Sequence, residues 1–275
     1  MEIISGSVIA EEIKIRLSEA NQLAGLCPVL APIVVGNNPE SIQYVSLKEK
    51  AVFSIGGKTQ RIILPPDTSR EALLKIIEDL NEDSSIHGIL LQLPLPEGIA
   101  LYEHEFLAAI SPEKDVDGFH PFNKGNITSP HPGFISCAVL GCLEVINRFA
   151  RDLDNKQAVL VGNSFDLIIP LSEILIKKGL RVLVVPEYSP MDTREGDILV
   201  IEKGSPGIVK SDGIKDGALV LDAGFHWKDG KTCGNVDRDA VQERKGHLLP
   251  VPGGLGPLLI AKLMENLTQA ARRNN

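Results

Sequence analysis

Gln157-Ala-Val-Leu-Val-Gly162 and, beyond a helix that ends near Lys178, Arg181-Val-Leu-Val-Val185 decide the fold class. Both are short aliphatic runs, and the first stops at a glycine just before a helical segment. Asp197-Ile-Leu-Val-Ile201 and Ala218-Leu-Val-Leu-Asp222 repeat the pattern. Strands of this kind, alternating with helices, predict a largely parallel sheet with helices on its faces. This half of the chain has the rhythm of a nucleotide-binding α/β domain.

The same alternation runs back toward the N-terminus. Ile9, Ile13, Leu17, Ala20 and Ala24 fall at helical spacing over residues 5–25. Pro28 to Val35 reads as a buried strand ending at Gly36, in which Pro32 suggests an edge position or an irregularity. Arg61-Ile-Ile-Leu64 is a short strand, and Thr68-Ser-Arg-Glu71 is a capping box opening a helix through Leu80. His87 to Leu93 is another strand, stopped by Pro94 and Pro96, and a helical segment follows at 102–110. The polar, turn-rich stretch Lys114 to Asn123 suggests a boundary, and a helix is expected near 136–150. Pro252-Gly-Gly-Leu-Gly-Pro257 opens a C-terminal helix expected to return to the first domain. The expected architecture is α/β with two domains, 1–122 plus 250–275 and a Rossmann-like 123–249.

A chain of 275 residues with 43% hydrophobic and 23% charged residues has a globular balance. The net charge of −8 argues against a nucleic-acid binder, which would show a basic face. No apolar run approaches the roughly 20 residues that span a bilayer, and Met1-Glu-Ile-Ile-Ser-Gly6 lacks the basic start of a signal peptide. Cys27, Cys137, Cys142 and Cys233 show no paired spacing, and the six histidines show no HxH or HExxH pattern, so no metal site is expected. Cys137 reads as packed rather than nucleophilic, and His120 as a turn cap. A cytoplasmic, reduced protein is expected.

Between Asn38 and Gly57 lies a helix with a chemical anomaly. Asn38 is a good N-cap, Pro39 suits the first helical position, and Gly56-Gly57 ends the run. At roughly 100° per residue, Tyr44, Val45, Lys48, Ala51, Val52 and Ile55 share one arc, with Ser46, Glu49 and Lys50 on the other side. Lys48 thus stands in the middle of the apolar arc. It is either a lysine that snorkels to solvent or one whose pKa is lowered by lack of water, suited to carrying a proton.

Four pieces taken in order, Tyr44-x-x-x-Lys48, Gly88-Ile-Leu-Leu-Gln92-Leu-Pro-Leu-Pro96, Lys114-Asp-Val-Asp117-Gly-Phe-His-Pro121 and Val251-Pro-Gly-Gly-Leu-Gly-Pro257, resemble the methylenetetrahydrofolate dehydrogenase/methenyltetrahydrofolate cyclohydrolase family, the bifunctional FolD enzymes. The resemblance covers nearly the whole chain and extends to Gly204-Ser-Pro-Gly207 and Val236-Asp237. It implies a folate-binding catalytic first domain acting on tetrahydrofolate derivatives. Lys48 would serve as acid/base, with Tyr44 lining the substrate, Gln92 bonded to the lysine and Asp117 accepting from the pterin's amino-pyrimidine edge. Leu91, Pro94, Gly253, Gly254, Gly256 and Pro257 would contact the substrate. It also implies a homodimer built through the second domain.

The dinucleotide half departs from the family pattern. Where the family has Pro-Cys-Thr-Pro-x-Gly, this chain has Ser136-Cys-Ala-Val-Leu-Gly141; where it has Gly-Arg-Ser-x-x-Val-Gly-x-Pro, this chain has Gly162-Asn-Ser-Phe-Asp-Leu-Ile-Ile-Pro170. Ile168 adds bulk, and Asp166 adds negative charge near a helix start that would favour phosphate. Pro186-Glu187 replaces His-Ser, and Leu258-Leu259 replaces Met-Thr. Gly162, Asn163, Ser164 and Glu187 are the candidate cofactor residues. Asn163 and Glu187 disfavour NADP, whereas an acid at that strand end suits the ribose of NAD. Three readings stand: a bifunctional enzyme using NAD, a cyclohydrolase that has lost dinucleotide binding, and a non-catalytic folate-binding paralogue.

Overall fold

The computed structural model describes residues 1–150, 152–228 and 230–273. In chain order its elements are β1 (Glu2–Ile3), α1 (Gly6–Leu23), β2 (Val29–Val35), α2 (Pro39–Ser54), β3 (Lys58–Thr59), β4 (Ile62–Leu64), α3 (Arg70–Glu82), β5 (Gly88–Leu91), α4 (Glu97–Ala100), α5 (Glu103–Ala109), α6 (Pro121–Gly125) and α7 (Cys137–Phe149). They continue as β6 (Gln157–Val161), α8 (Ile168–Lys177), β7 (Arg181–Val185), α9 (Pro190–Thr193), β8 (Ile198–Ile201), β9 (Leu219–Asp222), β10 (His226–Lys228), β11 (Lys231–Cys233), β12 (His247–Leu249) and α10 (Leu255–Arg273).

Two compact units divide the chain. One comprises Glu11–Cys137 with the segment from Ile260 onward; the other comprises Met1–Ala10 with Ala138–Leu259. The limits expected from the sequence, 122/123 and 249/250, fall elsewhere. The first residues belong with the later sheet because β1 pairs with β12 in parallel, Glu2 opposite His247. The start of α10 belongs there too, because Leu255 and Leu258 pack against Gly141 of α7.

In the first unit β2 is central: β3 pairs with its start, β4 with its end and β5 along its length, all in parallel. Pro32 is therefore in an inner strand, at an irregularity. The Leu30 carbonyl accepts from Gln60 N–H and the Ile33 carbonyl from Gln92 N–H, so Pro32 faces the side of β3 and β4. There its missing N–H coincides with the break between Thr59 and Ile62. Ile33, Leu73, Ile77, Ile86, Ile89 and Phe106 form the heart of the core, each worth ~2 kcal/mol of burial. Ser69, not Thr68, caps α3, its side chain accepting from Ala72 N–H; Thr68 Oγ1 instead donates to the Pro65 carbonyl at 2.6 Å. The expected return of α10 holds: Arg16 pairs with Glu265 at 2.5 Å, and Asn21 Nδ2 reaches Thr268 Oγ1 at 3.4 Å.

The second unit is a six-stranded parallel sheet in the order β1-β12-β9-β8-β6-β7. Val159, Val161, Leu199, Ile201, Val220 and Leu248 fill its core. Strand β12 was not anticipated; at three residues it carries too little pattern to be read. No helix among the described residues is long and apolar enough to cross a membrane.

Candidate active site

Helix α2 begins as its residues dictate, with Asn38 Oδ1 accepting from the N–H groups of Glu40 and Ser41 at 2.9 and 3.1 Å. Lys48 lies on its packed face beside Val45, Ala51 and Val52 and is 8% exposed, so it does not snorkel. Its Nζ donates to Gln92 Oε1 at 3.2 Å and stands 5.1 Å from the centroid of the Tyr44 ring. Gln92 follows β5, and its Nε2 donates to the Leu93 carbonyl at 2.7 Å. That second bond fixes the amide orientation, so the oxygen is the end offered to the lysine. Burial first, then the charge of Asp117, raise the Tyr44 pKa and keep its phenol protonated.

Glu49 departs from the expected solvent side. It is buried, accepting from Arg61 Nε at 2.8 Å and Thr59 Oγ1 at 3.3 Å, with a second oxygen paired to Arg61 Nη2. The ion pair anchors α2 to the β3–β4 edge on the flank away from Lys48.

Asp117 is held by its neighbours. Lys114, buried, donates to the carbonyls of Leu80, Asn81 and Asp83 at 2.8, 2.8 and 2.7 Å, closing the C-terminus of α3. Asp115 accepts from the N–H groups of Phe119 and His120 at 3.0 and 2.8 Å and from Asn123 Nδ2 at 2.8 Å. The turn-capping role that Asp117 could have filled thus belongs to Asp115. Gly118 follows with φ +74°, and a Cβ there would meet the backbone of Ile135 and Ser136 at 2.5 Å. Asn266 of α10 donates to the carbonyls of Val116 and Ile135 at 2.8 and 3.1 Å, fastening the loop from the other side. His120 Nδ1 accepts from Phe122 N–H at 3.0 Å and caps α6.

Lys48, Tyr44, Gln92 and Asp117 therefore belong to one unit. Leu91 is a buried core residue, and Pro94 is exposed after a cis Leu93–Pro94 peptide. Sequence reasoning missed Cys137 as a neighbour of this site: its Sγ lies 4.0 Å from Asp117 Oδ1, and burial holds its thiol well above the usual range. It also missed Asn266, although a buried amide between Leu263 and Leu267 on an apolar helix face was a legible signal.

Gly253, Gly254, Gly256 and Pro257 lie in the other unit. Gly253 has φ +88° and follows a cis Val251–Pro252 peptide; its carbonyl accepts from Ser7 N–H at 3.2 Å. Gly254 is buried, whereas Gly253 and Gly256 are exposed.

In that unit Gly162 ends β6 with φ +136°. Ser164 Oγ accepts from the N–H groups of Leu167 and Ile168 at 3.3 and 3.1 Å, at the start of α8. Ile168 is fully buried, with its Cγ1 against Gly162, so its bulk is part of the core. Asn163 is exposed. Glu187, beyond the end of β7, is exposed with its Oε1 3.9 Å from Lys203 Nζ. A strand, a glycine turn and a helix start with an acid at the next strand end is a donor set that suits a dinucleotide. Among the described residues no group of three His, Cys, Asp or Glu is placed to hold a metal.

The catalytic domain of tetrahydrofolate dehydrogenase/cyclohydrolase matches residues 4–117, and the NAD(P)-binding domain of the same enzymes matches residues 136–275. The chain belongs to the tetrahydrofolate dehydrogenase/cyclohydrolase family. It is 55% identical to bifunctional protein FolD 1 of Syntrophomonas wolfei, over 99% of each chain. The bifunctional FolD structure from Campylobacter jejuni is similar at TM-score 0.94 and 36% identity, covering 100% of both chains. That from Trypanosoma brucei, complexed with NADP and an inhibitor, is similar at TM-score 0.91 and 30% identity, over 98% of this chain and 97% of that one. Loss of the dinucleotide half, one of the three readings of the substituted loop, finds no support. An NAD(P)-binding domain of this family is present, and the relatives are bifunctional.

Proposed function

We propose that the chain interconverts folate one-carbon units by both activities of its family: hydrolysis of 5,10-methenyltetrahydrofolate to 10-formyltetrahydrofolate, and dinucleotide-dependent oxidation of 5,10-methylenetetrahydrofolate. The observation that carries the hydrolytic half is the Lys48 amine held on Gln92 beside Tyr44, in a water-poor helix face. The substrate's methenyl carbon is already electrophilic. Water adds to it and gives up a proton, leaving a neutral carbinolamine. The adduct then opens as the carbon–N5 bond breaks, the hydroxyl proton leaves to form the formyl carbonyl and N5 takes a proton, with one proton released overall. Lys48 is the group that moves these protons, and general acid–base help of this kind is worth about 10²–10⁴-fold. Gln92 aims the amine, Tyr44 supplies a neutral phenol, and Asp117 receives the donors of the pterin's amino-pyrimidine edge.

We assign the first unit to folate and the second to the dinucleotide, with Gly162 and Ser164 toward its phosphates and Glu187 toward its ribose. When bound, the dinucleotide supplies the hydride acceptor. Glu187 favours the ribose hydroxyls of NAD over the 2′-phosphate of NADP, although Lys203 nearby moderates that charge. Assay of both half-reactions with NAD and NADP side by side tests this: faster oxidation with NADP would overturn the preference, and no oxidation with either would remove the dehydrogenase half.

A homodimer through the second unit is part of the same reading. β7 is the end strand of its sheet, and Leu183, Val184, Ile169 and Ile176 are each more than a third exposed. An apolar edge of this kind invites pairing. A Leu183→Lys variant is expected to sediment as a monomer where the wild type sediments as a dimer; a monomeric wild type would sink the idea.

A further inference from the structure

A charged side chain from beyond β8 reaches the turn between β6 and α8. The space beside Gly162 is filled: a Cβ on that glycine would lie 2.5 Å from Glu202 Oε2 and 3.3 Å from Glu202 Cβ. Glu202 follows β8, the neighbour of β6, and its N–H donates to the Val161 carbonyl at 3.0 Å. Its own carbonyl is held by Asn235 Nδ2 at 3.2 Å. Asn235 in turn donates its N–H to the buried Asp222 carboxylate at 3.0 Å. The backbone of Glu202 is thus pinned, and its half-buried carboxylate lies in the turn beside Gly162, next to Ser164.

That is the place where a strand–glycine–helix turn ordinarily brings a phosphate close to its backbone. We propose that Glu202 determines the affinity of the dinucleotide site by acting as a resident anion: its carboxylate fills the space beside Gly162 that a pyrophosphate would enter, and the dinucleotide binds only as Glu202 swings away or is protonated. The inference rests on the assignment of this unit to a dinucleotide. A phosphate brought against an ionised Glu202 meets like charge in a partly desolvated turn, where screening is weak.

The groups around Glu202 set the sign of the pH dependence. Burial, and then Asp166 in the same turn, raise its pKa against the lowering influence of the neighbouring Ser164. Cys142 on α7 is also within electrostatic reach, but burial pushes its thiol up to about 12, so it stays neutral. The next residue, Lys203, is directed to Glu187. Falling pH therefore neutralises the resident anion and favours the ligand.

Calorimetric titration of the full chain with NAD and with ADP-ribose, from pH 5.5 to 8, tests the proposal, because the pyrophosphate of these probes does not titrate in that range. Glu202→Gln is expected to bind both about tenfold more tightly than wild type at pH 8. The two proteins should converge toward pH 5.5, with the variant flat across the series. Glu202→Ala, which removes the side-chain acceptor, should gain at least as much and serves if the glutamine variant misfolds. Equal affinities and equal pH profiles for wild type and folded variants would overturn this inference alone. No binding of NAD by any of the proteins would overturn the dinucleotide assignment and this inference with it.

Discussion

Lys48 Nζ and Gln92 Oε1 are 3.2 Å apart, joining the middle of α2 to the carboxyl end of β5. The glutamine cannot turn its amide over without losing the bond from Nε2 to the Leu93 carbonyl at 2.7 Å. It therefore presents an acceptor to the lysine whether or not substrate is near. A neutral acceptor aims the amine without adding the negative charge that a carboxylate would bring.

Replacing Lys48 by methionine keeps the length and packing of the side chain but removes the proton carrier. Decay of the methenyl absorbance should slow by at least about 100-fold, with the thermal midpoint little changed. A Lys48→Met enzyme at full rate would remove the role assigned to this residue.

Lys114 serves the fold. Its ammonium satisfies three carbonyls at the end of α3, at Leu80, Asn81 and Asp83. Lys114→Met strands those acceptors and should cost about 2 kcal/mol in urea unfolding. Loss of activity without loss of stability would show that the residue acts in the reaction instead.

Asp115 makes a pH-dependent contribution. Burial, opposed by the bonds from Asn123, His120 and Phe119, pushes its carboxyl up to about 6 in the folded chain, against about 4 unfolded. A folded-state pKa that is raised means stability fully present below about pH 4 and lost as pH climbs to about 6. The unfolding free energy of wild type minus that of Asp115→Asn should therefore decrease across that window and level off above it. A difference that grows with pH would reverse the assigned sign.

The cysteines should separate by burial. Cys27 is exposed, whereas Cys137 and Cys142 are buried with thiols raised by desolvation. Because the thiolate is the reacting form, iodoacetamide at pH 8 should label Cys27 in the native protein and reach Cys137 and Cys142 only after denaturation, as read by peptide mass spectrometry. Rapid native labelling of Cys137 would show that the site beside Asp117 opens to solvent.

Much of this protein was determined by its sequence alone. Asn38 and Pro39 start α2, and the 3.6-residue period puts Lys48 among Val45, Ala51 and Val52, because capping and periodicity act over one or two turns of chain. Aliphatic runs separated by helices likewise dictated parallel sheets. What only the tertiary structure decided depends on partners remote in sequence. Arg61 draws Glu49 into the protein, pairing of Glu2 with His247 carries the first residues to the second sheet, and Asn266 fastens the loop that bears Asp117. Parallel pairing of β6 with β8 sets Glu202 beside Gly162 and Ser164, some forty residues earlier in the chain. Side-chain periodicity along either strand says which faces are buried. It does not say which strand becomes the neighbour, and that choice put a carboxylate where a phosphate would bind.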